Sequence, residues 1–342
     1  AIFMLKKVFN GFMLLLNIGM SALLLLACLL PYISVALVPS MSIFSLFVPF
    51  LVLGNLLFLI YWMIQFKKIV FLPIVSLGIA YFFIGSFFQF RAERPMPPSQ
   101  DFSIMSFNTR LFNKYQWSDD PSIANQIVAF IKKTDPSVIC FQEFDVSMKK
   151  RFMSYPYVYI SASDNSKQAV QAIFSKFPIA AKGMLPFPNS TNTAIFVDLN
   201  IKGDTVRLYN IHLQSLRVKP EASSLEAGTR ERLYKRLKVS FAKQQAQADI
   251  IATHKSDSPH KVIVAGDFNT NQFSSVYHTI KGALTDSFTS AGSGYGKTFD
   301  FKYFPMRIDF LLSDPSFEIT YHKSFPLSLS DHFPVLVAYR LD

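Results

Sequence analysis

The chain has 342 residues, half of them hydrophobic, with 36 Phe and a formal net charge of +11. That length allows two units and a sizeable core. Six basic residues face one acidic residue over positions 1–100, and 28 face 22 over the rest. This mild excess suits a phosphate-bearing substrate or an anionic membrane surface. It falls short of the dense basic stripe of a duplex-DNA binder.

Residues 1–90 contain no Asp or Glu, and their only charges are Lys6, Lys7, Lys67 and Lys68. Three apolar runs, about Val8–Leu30, Ile43–Ile64 and Ile69–Phe88, each offer roughly the 20 residues a helix needs to cross a bilayer. They predict three transmembrane helices in a membrane anchor over residues 1–90. The first run is too long for a secretory signal, and more apolar runs follow it. The lysine pairs before the first run and in "QFKK" place the N-terminus and the second loop inside, and the uncharged "PSMS" loop outside. Everything after Phe90 then lies outside, although Arg91 and Arg94 oppose the rule. The expected location is a bacterial inner (plasma) membrane, with the N-terminus cytoplasmic and the remaining domain periplasmic. Cys28 lies in the first run and Cys140 in a predicted strand, so no disulfide framework is implied.

Residues 91–100, "RAERPMPPSQ", read as a stiff proline-rich linker. From residue 101 to 342 strands and helices alternate. "DFSIMSFN" and "SVICFQE" are strands, with the amphipathic helix "PSIANQIVAFIKKTDP" between them. Shorter strands follow at Tyr157–Ser161, Val170–Phe174, Ala194–Ile201 and Thr205–His212. A long helical stretch runs from about Glu221 to His254, with Gly228 as a candidate break. Next come "KVIVAGD", a short helix near Ser274–Ile280, and strands at Arg307–Leu312, Phe317–His322 and Phe333–Tyr339. Hairpins such as "VDLNIKGDTVRLYN" imply antiparallel pairing, and two stacked sheets with outer helices would accommodate the set.

Polar residues cluster where apolar strands stop: Asn108, Gln142 and Glu143, His212, Asp267 and Asn269, Asp309, and Asp331 with His332. Stacked sheets bring such ends together along one edge. Hard oxygen ligands with few imidazoles suit Mg²⁺ or Mn²⁺ better than zinc. A histidine beside a buried aspartate can hold its proton at neutral pH.

In this order, "SFNTR", "CFQE", "YNIHLQ", "GDFNT", "RIDFLL" and "SDHFPV" resemble the endonuclease/exonuclease/phosphatase superfamily, over about residues 101–342. The resemblance implies a DNase I-like fold: a four-layer α/β-β/α sandwich of two mainly antiparallel sheets, here preceded by three transmembrane helices. It also implies roles. Glu143 would be the principal Mg²⁺ (or Mn²⁺) ligand, with Asn108 nearby and Asp331 approaching. Asp267 would orient or deprotonate the attacking water, and Asn269 would help fix phosphate and water. His212 would contact the scissile phosphate. Asp309 would orient His332, which would stabilise developing charge or move a proton.

Other residues carry weaker signals. "AGSGYGKT", residues 291–298, fits a relaxed P-loop pattern, but no strand leads in and no helix follows, so it reads as a flexible glycine loop at the site rim. Lys297 would meet substrate phosphate there, and Arg110 is a further phosphate contact or an exposed charge. Phe299, Phe301, Tyr303 and Phe304, with Tyr115 and Trp117, would form an aromatic lip. His254, His260, His278 and His322 read as surface or packing residues. The expected function is a membrane-anchored, Mg²⁺-dependent phosphoester hydrolase acting on lipid headgroups. The alternatives are an extracytoplasmic nuclease on DNA or RNA, and a non-catalytic subunit of a membrane complex. The expected partners are the lipid bilayer, a phosphoester substrate, and a membrane protein reached through the spans.

Overall fold

The computed structural model describes residues 2–33, 39–85, 88–97, 100–161, 170–216, 227–301 and 304–341. The chain forms two compact units. One comprises Ala1–Phe87, Lys219–Gln245 and Gln272–His278; the other comprises Phe88–Val218, Ala246–Asn271 and Thr279–Asp342.

In the first unit, apolar sequence without charge folds into α1 (Ile2–Ala27), α2 (Pro39–Phe44), α3 (Val48–Ile64) and α4 (Phe71–Ile84). Two stretches, Phe3–Tyr32 and Ser42–Ile64, are long and apolar enough to cross a membrane. The third predicted span is shorter than expected. α4 has 14 residues, follows a 3-10 turn at Lys68–Val70 and stops at Gly85, whose φ is 72°. At 1.5 Å per residue it reaches roughly 21 Å, short of a hydrocarbon layer of about 30 Å. A chain of polar side chains joins α1 to α3. Trp62 Nε1 donates to Asn17 Oδ1 (3.0 Å), Asn17 Nδ2 to Ser21 Oγ (3.3 Å), and Ser21 Oγ to Asn55 Oδ1 (2.8 Å).

The second unit is built on two six-stranded sheets. In chain order its elements are β1 (Phe102–Asn108), α5 (Ile123–Thr134), β2 (Val138–Phe144), β3 (Tyr157–Ile160), β4 (Val170–Ser175), β5 (Ile179–Pro186), β6 (Thr193–Ile201) and β7 (Asp204–His212). Then follow α6 (Ala227–Ser256, assigned here from Ala246), β8 (Lys261–Asp267), α7 (Ser275–Lys281, from Thr279), β9 (Thr285–Asp286), α8 (Ser287–Ala291), β10 (Asp309–Ser313), β11 (Phe317–Ser324) and β12 (Val335–Leu341). The first sheet runs β11-β12-β1-β2-β4-β3 and the second β5-β6-β7-β8-β10-β9. Each has one parallel pair, β1 with β2 and β7 with β8; the rest are antiparallel. A helix separates the strands of each parallel pair in sequence, as such pairs require.

All seven residues of β1 are buried, because both of its faces are covered. Ile104, Val138 and Ile173 of the first sheet meet Ile195, Leu208, Ile263 and Leu311 of the second. On the outer face of the first sheet, Ile123, Ile127, Val128 and Ile131 of α5 pack on Met105, Phe107 and Ile139. That stripe follows the helical repeat visible in the sequence. On the outer face of the second sheet, Tyr209 Oη meets His254 Nδ1 of α6 at 2.7 Å. His254 is therefore a packing histidine. The layered sandwich agrees with the expected class. Both cysteines are free and buried. Among the described residues, four named strands and helices had no forecast: α2, which takes up the expected "PSMS" loop, and β5, β9 and α8.

Candidate active site

Strand register assembles the site. Asn108 is level with Gln142 across β1 and β2. In the second sheet, Asp267 is level with His212 on one side and Asp309 on the other. His332 lies just before β12, whose Val335 pairs with Ser106 of β1. The polar residues that end these strands therefore gather along one edge.

Two backbone features aim the side chains. A bulge interrupts the β2–β4 register between Phe141 and Phe144, and Glu143 there has a φ of 47°. A non-glycine residue in this region is strained. The bulge turns Gln142 inward and Glu143 to the edge. Gln142 Nε2 donates to Asn210 Oδ1 at 2.6 Å, and Asn210 Nδ2 donates to the Phe141 carbonyl at 2.8 Å. This buried pair bolts the sheets together. The second feature is Gly266, with φ 142°, where an added Cβ would lie 2.1 Å from the Ile211 carbonyl oxygen. Only glycine lets β8 approach β7 closely enough to set Asp267 beside His212.

Asp267 is the centre. Its Oδ1 accepts the Asn269 backbone N–H (2.8 Å), and its Oδ2 accepts Asn108 Nδ2 (3.1 Å) and Asn269 Nδ2 (3.3 Å). Asn269 also donates to the Leu213 carbonyl, at 2.9 Å. His332 Nε2 is 3.5 Å from Asp267 Oδ2, while its Nδ1 bonds both Asp309 oxygens at 3.1 and 3.0 Å. His212 Nε2 lies 3.7 Å from Asp267 and 4.0 Å from Glu143. Asp331 is paired elsewhere: its carboxylate meets Arg110 Nη1 at 3.2 Å.

The electrostatics follow from burial and neighbours. Burial opposes a charge on His332, but Asp309 and Asp267 outweigh it and raise the imidazole to about 10. Burial raises Asp267 to about 6, with His332 and His212 pulling back. Burial lowers His212, leaving it a neutral donor at pH 7. Burial also raises Glu143, against His332, and the Asp331 charge adds to the rise. A carboxylate penalised in this way, near a second carboxylate, suits a hard divalent cation. Asp267, Asp309 and His332 also bring ligand atoms within 4.8 Å of one another. An imidazole that two carboxylates keep protonated is a poor ligand, so the Glu143 side is the better place for a metal.

The glycine loop is not a phosphate cradle. Gly294 forms a two-way backbone pair with Gln89 (2.8 and 2.9 Å), and the loop runs into no helix. Lys297 pairs with Asp300. The loop's contribution is Thr298, fully buried, whose Oγ1 accepts the N–H groups of Ile308 and Asp309, both at 3.0 Å. Of the expected aromatic lip, Phe299 packs edge-on against His332 with ring centres 4.9 Å apart. Trp117 lies under Arg110 at 5.0 Å, and Tyr115 is exposed. Tyr303 falls outside the described residues.

Known proteins share this family and this fold. The endonuclease/exonuclease/phosphatase family model covers residues 105–332. A domain of unknown function covers residues 7–87. Among solved structures, a family protein from Bacteroides thetaiotaomicron is 19% identical with a TM-score of 0.55, over 70% of this chain and 98% of that one. One from Beutenbergia cavernae is 17% identical, TM-score 0.54, over 71% and 72%. D. rerio TDP2, solved with a single-strand DNA product, is 16% identical, TM-score 0.53, over 70% and 98%. At these identities the likeness is one of fold. No curated protein matches the chain.

Proposed function

Because the chain belongs to the endonuclease/exonuclease/phosphatase family, we propose that it is a Mg²⁺- or Mn²⁺-dependent phosphoester hydrolase, held at a membrane by its N-terminal helices and acting on phosphorylated lipid headgroups. The observation that carries the hydrolase reading is the convergence of His212, Asp267, Asn269, Asp309 and His332 on one edge, with Glu143 and Asn108 beside them. Membrane attachment draws on the first unit, where Phe3, Phe12, Leu15, Leu57 and Phe82 are each more than half exposed. Side chains like these suit a lipid-facing surface.

Glu143 and the Asn108 amide oxygen would hold the metal, with Asp331 at its margin. When bound, the metal would neutralise charge growing on the phosphoryl oxygens. Asp267, ionised above about pH 6, accepts a hydrogen bond from the attacking water and then its proton. Asn269 and Asn108 fix that carboxylate from two sides. His332, charged and steered by Asp309, donates from Nε2 to a phosphate oxygen. His212 donates a neutral N–H to another. Both donors are in place before reaction, so little reorganisation is required.

The test is a phosphoester panel in neutral detergent, wild type against Glu143→Gln. The expected result is Mg²⁺-dependent release of phosphate or a phospho-headgroup from lipid, reduced about 10²-fold or more in the variant. Calorimetric Mg²⁺ binding should weaken in parallel. Plasmid degradation without lipid turnover would replace the lipid reading with a nuclease, and silence across the panel would leave a non-catalytic subunit. Protease access from the periplasmic side, in permeabilised cells, would test the orientation.

A further inference from the structure

The first unit holds more than apolar helices. It also contains the first half of α6, as far as Gln245, and the segment Gln272–His278. From Arg230 to Lys243 that half of α6 carries six basic residues and one acid, Glu231, so +5 of the chain's +11. We propose that this basic half of α6 is a second membrane contact, lying against a layer of anionic phospholipid headgroups. The inference rests on the membrane attachment proposed above and is independent of what the catalytic edge hydrolyses.

The helix has two faces. Leu237, Ser240, Phe241 and Gln244 are buried, at the three- and four-residue spacing of a single stripe. Arg230, Arg232, Lys235, Arg236 and Lys238 are exposed around the rest. Lys235 pairs with Glu231 at 2.7 Å. Arg230, Arg232, Arg236 and Lys238 have no ion-pair partner among the described residues. Arg232 and Arg236 stand four residues apart and Lys235 and Lys238 three, so like charges repel along the helix. An anionic surface relieves several of them at once. Two residues exposed among these charges bear on its chemistry: Tyr234 is 48% and Val239 56% exposed. Tyrosine favours the headgroup depth, and an apolar side chain between long basic stems suits a helix lying in that layer.

Position is the second, independent reason. Phe273, 2% exposed, packs with Leu24, Ala27, Val48, Leu51, Ala80 and Ile84. These residues come from the end of α1, the start of α3 and the end of α4. They mark one end of the apolar helices, the end opposite Lys6, Lys7, Lys67 and Lys68. Two residues after Phe273, Ser275 Oγ donates to Gln245 Oε1 of α6 at 3.2 Å. The basic half of α6 is thus tied to an end of the helices whose sides suit lipid, which is where headgroups lie. A nucleic acid would need the charge alone; a bilayer accounts for the charge, the exposed Tyr234 and Val239, and the place.

The test uses the full chain in nanodiscs, with a fluorophore on Val239→Cys. Cys28 and Cys140 are buried and stay unlabelled. Discs hold phosphatidylcholine alone or mixed with phosphatidylglycerol, each with a trace of lipid bearing a quencher on its headgroup. Quenching should be stronger in the phosphatidylglycerol discs and fall in high salt. It should be lost when Arg232, Lys235, Arg236 and Lys238 are all replaced by Gln, since each charge near such a surface is worth roughly fivefold in binding. All four side chains are exposed, so that variant should melt at the wild-type temperature. Equal quenching in both discs, or quenching kept in the variant, overturns the proposal. A fluorescence change on adding duplex DNA, without headgroup quenching, would also overturn it and assign the face to nucleic acid. A chain that stays soluble without detergent and enters no disc would overturn the membrane attachment as well.

Discussion

Thr298 Oγ1 accepts the backbone N–H of Asp309 at 3.0 Å, and the Thr298 carbonyl accepts the N–H of Phe333 at 2.7 Å. One residue of the glycine loop thus spans the two segments that carry Asp309 and His332. Thr298 is a positioning residue, not a catalytic one. Thr298→Val keeps the shape but orphans two buried N–H groups, those of Ile308 and Asp309. Unfolding free energy should fall by about 1–3 kcal/mol. Turnover should fall further than stability at permissive temperature, with kcat moving and KM nearly constant, because the Asp309–His332 pair shifts. Thr298→Ser should restore both; a variant with normal kcat would remove the positioning role.

Asp309 both orients His332 and keeps it charged. Burial disfavours the imidazolium, and Asp309 is the first of the charges that overcome it. In wild type the charge is present at neutral pH and lost only as pH rises through about 10. Asp309→Asn should move that loss to lower pH, so the alkaline limb of kcat shifts toward neutrality. The drop in kcat at pH 7 should be about 10²–10⁴-fold, as expected when a histidine loses its orienting carboxylate. Nitrogen NMR of His332 across pH checks the charge directly. An unchanged alkaline limb would show that His332 is not the group setting it.

Much of this edge was legible because apolar strands ending in Asn, Glu, His or Asp mark themselves. Asn108, Glu143, His212, Asp267, Asn269, Asp309 and His332 meet as the residue order suggested. Gln142 was legible as a strand-end polar residue but its direction was not, since only the bulge after Phe141 sends it inward to Asn210 while Glu143 faces out. Thr298 was hidden because its partners are backbone N–H groups ten and eleven residues away. β5 was missed because Pro178, Gly183 and Pro186 discourage a strand assignment, and an edge strand tolerates them. The third apolar run was over-read: composition measures how apolar a stretch is, whereas the 3-10 turn and Gly85 decide how much of it is α-helix.

The polar chain from Trp62 through Asn17 and Ser21 to Asn55 sets the register of α1 against α3. In an apolar surrounding such bonds have no water to replace them, yet measured values are modest, about 0.6–2 kcal/mol each. Asn55→Leu removes the acceptor for Ser21 and the donor to the Leu51 carbonyl. It should lower the thermal stability of the helical unit by about 1–2 kcal/mol and weaken cysteine cross-linking between α1 and α3. Hydrolysis of a soluble phosphoester should stay at the wild-type rate. Unaltered cross-linking would mean that apolar packing alone holds the two helices in register.

His322 makes stability depend on acid. Burial lowers its pKa to about 3, with Asp286 pulling upward and Arg307 pushing down. An unfolded histidine titrates near 6.5. The folded pKa is depressed, so the contribution is complete above about 6.5 and declines as pH falls toward 3, where the unfolded chain binds a proton that the folded chain refuses. The slope reaches about 1.4 kcal/mol per pH unit where the two states differ by a full proton. His322→Phe cannot bind that proton, so its stability should fall less steeply between pH 6 and 4 than that of wild type. Urea unfolding at half-unit pH steps measures the difference. Parallel curves for the two proteins would mean that His322 takes up its proton in the folded chain as readily as in the unfolded one.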